Sequence, residues 1–410
     1  MKHLFIIPGW YPHRPCFPFE GLYVRTQAEA IGDLHPDLGV TLSLWDQGRG
    51  DVSLGHLFMS RKSPGCLLLP LGSKPVETAL ASNVVEQRKP VRSWHPRYLG
   101  GNREAILRAN RINLRRASAR WGRPDLLHAH VSYPAGWVAM QLSRELSIPY
   151  VITEHMGPFP LPYYKTHDES LNPLLREPLA NADATIAVSP ALAKRIESFG
   201  LPRPRYIPNL VDERKYLSTP VRSDESFTFL TMSKMEKAKG ILDLLEAISQ
   251  LRERIEPNRW DHVRFRFVGR GPDLAEFRNE AHRRGLDIQV HWTGELPAEE
   301  ARAEYRGCDC FVLPSHHESF GIPFVEALAS GRPVIATRSG GPEAIVNEGN
   351  GLLVEPKNPE ALSRAIETML SRARTYDPRL LREEFMARYS RPAVVGTLDS
   401  VYEEVLARRS

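Results

Sequence analysis

Cysteine is scarce in this 410-residue chain: Cys16, Cys66, Cys308 and Cys310 are the whole complement. So few and dispersed thiols exclude a disulfide scaffold and fit a reducing compartment. Cys308 and Cys310 form one close pair, whereas structural metal sites draw on two such clusters, so the pair reads as packing beside a buried strand. No run of about 18 apolar residues occurs, which argues against a transmembrane helix. The apolar start, Leu4–Ile7, is too short for a secretory signal and is broken by Pro8, so it reads as a first strand. Cytoplasm is the expected location. The turn Gly269-Arg270-Gly271 lacks the third glycine of the dinucleotide fingerprint, since Leu274 stands there. That counts against a nicotinamide or flavin oxidoreductase.

What is present is a long chain with a repeating pattern. At 410 residues it exceeds one hydrophobic core, and two domains are the default. Strand-like runs alternate with helical segments of 10–15 residues along residues 3–208 and again along 227–370. Such alternation predicts doubly wound parallel sheets. The expected division is a first domain over 1–212, a polar linker over 213–226, a second domain over 227–390, and a last helix over 391–410 packing back on the first domain. Pro12 to Pro18 reads as a loop, residues 46–66 as a long excursion and Cys66–Leu71 as a strand. The formal net charge is +5, and Arg88 to Arg123 holds eleven Lys or Arg residues against the single acid Glu104. That block invites a polyanion, with an anionic membrane surface ahead of nucleic acid, against the plainer reading of a solvated helix face with a thin apolar stripe at Leu107, Leu114, Ala117 and Trp121.

Residues 315–331 carry the sharpest chemistry. A buried strand, Cys310–Leu313, ends at Pro314, and Glu318 falls in the connection that follows. Pro323 suits the first turn of a helix and Gly331 the position past its end, which puts Glu326 on the first turn. Carboxylates suit polyol hydroxyls, and free amides at a helix start suit phosphate. A ligand with both features is a nucleotide sugar; the bland alternative is an acidic helix start complementing the macrodipole.

In open α/β sheets ligands lie beyond the carboxyl ends of the strands, so the strand-to-helix turns supply the other candidates. Lys234 and Lys239 bracket the turn after Phe227–Met232 and suit a diphosphate. Arg270, between two glycines, offers a cation where backbone can approach a ligand closely, and Gly21 opens an early helix where it can approach phosphate. His155 ends the strand Pro149–Thr153, where a neutral imidazole can exchange a hydrogen bond with a hydroxyl. His128 and His130 alternate onto one face of a strand. No Asp-x-Asp occurs, so a diphosphate here would be neutralised by lysines and amides rather than through a carboxylate-held cation.

These blocks, in this order, resemble glycosyltransferase family 4, whose members are retaining enzymes with the two-domain GT-B fold. The likeness runs from Gly21 to about Leu370 and is densest from Asp309 to Pro356, through Phe311–Ser315, the Glu-x7-Glu pair, Ala327–Ala336 and Gly340–Glu343. It implies two Rossmann-like domains facing a central cleft. It also implies Glu326 on the nucleotide ribose and Glu318 facing the donor sugar. The amides of Phe320, Gly321 and Ile322 would lie on the sugar and diphosphate, Lys239 on the diphosphate, and His155 beside the transferred sugar. Lys234 stands where the family usually has arginine, Ser233 where it has glycine, and Leu210 where it has glycine before the hinge. Lysine keeps the charge but loses the planar fork.

The implied activity is metal-independent, retaining transfer of a sugar from a nucleotide-diphosphate sugar to a carbohydrate or lipid-linked hydroxyl, in cell-surface glycan synthesis. No resident cofactor, metal or nucleic-acid partner is expected. A nucleotide-sugar epimerase on the same fold, or a non-catalytic nucleotide-sugar-binding protein, are the alternatives.

Overall fold

The computed structural model describes residues 1–9, 21–45, 74–91, 102–217 and 226–409. The loop expected at Pro12 to Pro18, the excursion at 46–66, the strand at Cys66–Leu71, and Cys16 and Cys66 themselves lie outside them. The chain forms two compact units. The first comprises Met1–Val188, Ala193–Leu210 and Val394–Ser410, and the second comprises Ser189–Leu192 and Val211–Ala393.

The first unit is built from β1 (His3–Pro8), α1 (Leu22–Leu34), β2 (Gly39–Leu44), β3 (Val76–Ala79), β4 (Val84–Arg88) and α2 (Arg103–Trp121). It continues through β5 (Leu126–His130), α3 (Trp137–Leu146), β6 (Tyr150–Glu154), α4 (Pro173–Asn181), β7 (Ala184–Ala187), α5 (Pro190–Glu197, of this unit from Ala193 onward) and β8 (Arg205–Tyr206). Its eight-stranded sheet has the order β3-β4-β2-β1-β5-β6-β7-β8. The pairings are parallel except at the edge, where β3 runs antiparallel to β4. Leu4, Phe5, Ile6 and Ile7 are all fully buried, as strands covered on both faces require.

The strand β4 is not expected from the sequence. Its Glu86 and Gln87 hide it from an apolar-run reading, yet both are buried, and Gln87 accepts from Arg116 Nε at 2.9 Å and donates to Glu77. The helix α2 corrects the thin-stripe reading. Ile106, Leu107, Ala109, Asn110, Asn113, Leu114 and Ala117 are buried, and Asn113 Nδ2 donates to Ser43 Oγ at 3.0 Å and to the Leu44 carbonyl at 2.8 Å. Asparagines on an inward face broaden it beyond what apolar periodicity shows.

The second unit contains β9 (Phe227–Met232), α6 (Ile241–Arg254), β10 (Val263–Val268), α7 (Leu274–Arg283), β11 (Val290–Gly294) and α8 (Ala298–Gly307). There follow β12 (Cys310–Leu313), α9 (Ile322–Ala329), β13 (Val334–Thr337), β14 (Gly351–Val354), α10 (Pro359–Arg372) and α11 (Pro378–Tyr389). All pairings in its six-stranded sheet, ordered β11-β10-β9-β12-β13-β14, are parallel. From β9 the chain winds one way to β11 and then returns to build β12 to β14 on the other side. The strand order therefore reverses between β9 and β12, which makes that junction the topological switch point. Cys308 and Cys310 are free and buried beside this junction. Of the stretch expected as a linker, Glu213–Lys215 forms a single turn, and Arg391 clasps it with Nη2 2.9 Å from Glu213 Oε1.

The last helix, α12 (Arg391–Ala407), belongs to the first unit from Val394 onward. Its Val394, Val395, Leu398, Val401, Tyr402 and Val405 share one core with Leu4, Ile6, Val24 and Val40.

Candidate functional site

The turns leaving β9 and β12 flank the switch point, and they carry two of the residues the sequence singles out. Lys239 lies in the turn after β9 and Glu318 in the turn after β12, with Lys239 Nζ 2.8 Å from Glu318 Oε2. Both are largely enclosed, their side chains 21% and 16% exposed. Backbone fixes the acid: the Glu318 amide donates to the Ser339 carbonyl at 3.0 Å, and the Glu318 carbonyl accepts from Gly341 N–H at 2.7 Å. His316 anchors the same turn to α6 through Nε2, 2.6 Å from Asp243 Oδ2.

Glycines allow the turns to nest. A Cβ on Gly240 would lie 2.0 Å from the Pro314 carbonyl oxygen, and one on Gly271 would lie 2.1 Å from the Met235 carbonyl oxygen. A Cβ on Gly269 would meet the Ser233 carbonyl oxygen at 1.9 Å. This corrects the reading of Gly269-Arg270-Gly271: its close approach is to the backbone of the neighbouring turn. Arg270 and Lys234 reach outward from these turns. Arg270 Nε pairs with Glu295 Oε2 at 2.5 Å, and Lys234 Nζ with Glu236 Oε2 at 3.0 Å.

The helix α9 starts at Ile322 after Gly321, whose φ of 103° is a conformation that only glycine adopts without strain. Among the described residues, the amides of Phe320, Gly321 and Ile322 have no acceptor within the chain. Glu326 stands on the second turn, not the first, and no acid occupies the first turn. The dipole-complement reading therefore fails. Both oxygens of Glu326 are taken by phenols the sequence does not suggest. Tyr216 Oη donates to Oε1 at 2.5 Å and Tyr305 Oη to Oε2 at 2.8 Å. Burial pushes the Glu326 carboxyl up, and the two phenols and Arg302 pull against it. No fixed-offset pattern signals these tyrosines, because Tyr216 precedes the whole domain pattern and Tyr305 lies on α8.

Gly21 and His155 belong to the first unit. Gly21, with φ 73°, is the N-cap of α1. His155 follows β6, and the preceding Glu154 holds the corner. The buried Glu154 carboxylate accepts from the amides of His155 and Met156, each at 2.9 Å, and from Ser132 N–H and Oγ–H at 2.9 and 2.6 Å. His155 Nε2 lies 2.9 Å from His130 Nδ1, and His130 stacks on His128 with centroids 4.5 Å apart. Tyr23 covers the outer face of His155 at 4.3 Å, and His128 Nδ1 meets Tyr402 Oη at 2.7 Å. Burial lowers His128 and His155 to about 3, and pushes His130 well below the usual range, with its two neighbours adding to the effect. All three rings are thus neutral at physiological pH. Among the described residues no group of three or more His, Cys, Asp or Glu side chains is placed to hold a metal ion.

Comparison with known proteins agrees with this architecture. A putative teichuronic acid biosynthesis glycosyltransferase, TuaC of Bacillus subtilis, is 30% identical over 256 residues, 59% of this chain and 60% of that protein. The chain thus spans less than two thirds of that relative. Sucrose-phosphate synthase from Thermosynechococcus elongatus superposes with a TM-score of 0.73 at 20% identity, covering 99% of this chain and 100% of that one. Anabaena Alr3699/HepE, solved in complex with UDP, gives 0.67 at 19%, covering 98% and 100%. These likenesses show the GT-B fold. The model for Glycosyltransferase Family 4 matches residues 72–215, and that for Glycosyl transferases group 1 matches residues 213–382. The two matches meet at residues 213–215 and together run from β3 into α11, and the chain belongs to glycosyltransferase family 4.

Proposed function

We propose that this chain is a retaining glycosyltransferase. It moves a sugar from a nucleotide-diphosphate sugar to a hydroxyl of a carbohydrate or lipid-linked acceptor, without a metal ion, in the synthesis of a cell-surface glycan. The observation that carries this reading is the Lys239–Glu318 pair at the switch point, beside the three amides that open α9.

Departure of a nucleoside diphosphate develops negative charge on the leaving phosphate oxygen, which fixed cations and amides stabilise. Lys239 and the amides of Phe320, Gly321 and Ile322 serve that charge, with Lys234 and Arg270 as further cations and Gly21 as a close backbone approach. As Lys239 turns to the phosphate, Glu318 is released toward the sugar, whose anomeric carbon becomes oxocarbenium-like. Glu326 accepts from the ribose hydroxyls, and the neutral His155 shares a hydrogen bond with a hydroxyl of the transferred sugar. The acceptor oxygen attacks from the face the phosphate leaves, and the phosphate oxygen takes the acceptor proton, so configuration is retained.

Support for the donor class comes from UDP bound to the structurally similar Alr3699/HepE, and for the glycan class from the teichuronic acid role named for TuaC. The absence of Asp-x-Asp supports charge neutralisation by lysine and amide. Thermal-shift measurement against UDP-, GDP-, ADP-, CDP- and dTDP-sugars tests the reading, because specific binding raises apparent stability. At least one is expected to raise Tm; a flat response to all of them contradicts it.

A further inference from the structure

We infer that Tyr216 and Tyr305 are positioning residues that make Glu326 a reader of the vicinal ribose hydroxyls, so that the site discriminates ribonucleotides from 2′-deoxynucleotides. This rests on the donor reading above.

An ionised carboxylate offers about four lone-pair positions, two on each oxygen. Tyr216 occupies one on Oε1 and Tyr305 one on Oε2, at 2.5 and 2.8 Å. One position on each oxygen is left. Two acceptors on adjacent oxygens of one planar group match two neighbouring hydroxyls that both donate, which is the pattern of a ribose cis-diol. A 2′-deoxyribose fills only one of them. The other buried acceptor is then left unpaired, and that mismatch is more costly than a lost surface contact.

The phenols are themselves held in place. Tyr305 is 1% and Tyr216 8% exposed, so neither can exchange the carboxylate for bulk water. The Tyr305 ring packs on Phe311 at 5.6 Å, and Phe311 packs edge-on against Phe324 of α9 at 5.4 Å, so donor and acceptor share one aromatic cluster. The Tyr216 ring meets that of Tyr305 at 6.2 Å. Its backbone is tied by Arg382, whose Nη1 donates to the Tyr216 carbonyl at 2.7 Å and to the Ala329 carbonyl at the end of α9 at 2.5 Å. The phenols therefore move with the helix that carries Glu326. They also favour its ionised form against the burial that opposes it, and only the ionised form accepts two hydroxyls.

The test is calorimetric titration of wild type, Tyr216→Phe, Tyr305→Phe and the double variant. The probes are UDP, GDP, ADP and CDP, each with its 2′-deoxy form, and dTDP. For the nucleotide that binds, wild type is expected to favour the ribose form by about tenfold or more. In the variants that ratio is expected to fall toward about twofold, because the ribose form weakens while the 2′-deoxy form is little changed. A purely structural role would weaken both forms alike and leave the ratio intact, which would overturn the inference. So would a wild type that takes both forms equally while still binding a nucleoside diphosphate; the donor reading would then survive. Binding of dTDP alone would overturn the inference and leave the donor reading standing; if no nucleoside diphosphate, CDP and dTDP included, binds wild type, the donor reading falls and the inference with it. Should Tyr305→Phe fail to fold, Tyr216→Phe, at the less enclosed of the two rings, decides the question alone.

Discussion

Lys239 Nζ and Glu318 Oε2 lie 2.8 Å apart, joining the turns after β9 and β12 across the switch point of the second sheet. The cation assigned to the diphosphate is therefore engaged by the acid assigned to the sugar. Under the proposed assignment, binding a donor exchanges one partner of Lys239 for another and frees Glu318 in the same step. Glu318→Gln removes the competing charge and leaves the cation in place. It is expected to bind the nucleoside diphosphate about threefold to tenfold more tightly while kcat falls about a hundredfold. Lys239→Met is expected to lose affinity for the same ligand by about tenfold or more. Titration calorimetry and steady-state kinetics on the two variants check the opposed directions; parallel losses in both would contradict the exchange.

Nesting of the turns predicts a sharp contrast between glycines. An alanine Cβ at Gly271 would lie 2.1 Å from the Met235 carbonyl oxygen, whereas at Gly307 nothing lies within 4 Å. Gly271→Ala is expected to destabilise the protein by about 3 kcal/mol and to weaken nucleotide binding, because relief means displacing the turn that carries Lys239. Gly307→Ala is expected to stay within about 0.5 kcal/mol of wild type. Urea unfolding of the two variants separates these outcomes.

The stacked histidines predict acid lability of the first unit. Burial holds His128 and His155 at about 3 and His130 well below the ordinary 6.5. In the unfolded chain all three titrate near that ordinary value, so below about pH 6.5 the unfolded state takes up protons that the folded state refuses. Stability contributed by the neutral rings is full above about pH 6.5 and falls as pH drops from there toward about 3. Each ring accounts for up to about 1.4 kcal/mol per pH unit. Urea midpoints are expected to be flat above pH 6.5 and to fall steeply beneath it, with His155→Gln reducing the slope by about a third. An onset only below pH 4.5 would contradict this.

Much of the fold is legible from periodicity. The strands Phe227–Met232, Val263–Val268, Cys310–Leu313 and Gly351–Val354 are apolar or alternating runs closed by glycine, proline or a polar turn, and the structure begins and ends them where the sequence does. The strand Val84–Arg88 is not legible, because two of its buried positions, Glu86 and Gln87, are polar, and Gln87 is satisfied by Arg116 and Glu77 arriving from other elements. The helix Pro378–Tyr389 escapes the pattern although Leu381, Phe385 and Tyr389 recur at a spacing of four, since its intervening positions are strongly charged. At the site, Lys239 and Glu318 can be named individually from their turns. Their contact cannot, since it depends on strand order, which no local pattern specifies. Tyr216 and Tyr305 are invisible for the same reason: they reach Glu326 across 110 and 21 residues of chain.

The exposed cations of α2 predict a weak, salt-sensitive membrane contact. Arg108 and Arg115 lie exposed on this helix, while Arg111 pairs with Glu145 and Arg120 with Glu77, 2.6 Å away. That pairing reduces the free charge below the sequence count. Cosedimentation with phosphatidylglycerol vesicles is expected at about 20 mM salt and to be lost by about 0.5 M, with Arg108→Glu/Arg115→Glu abolishing it. Indifference to these vesicles at low salt would contradict the contact.

The most direct test of the central claim is release of nucleoside diphosphate from each sugar nucleotide, with and without a glycolipid acceptor extract and with EDTA present throughout. Acceptor-dependent release is expected from at least one donor, undiminished by EDTA and reduced about a hundredfold in Glu318→Gln although that variant still binds the nucleotide. No release from any donor, or full turnover in Glu318→Gln, would contradict it.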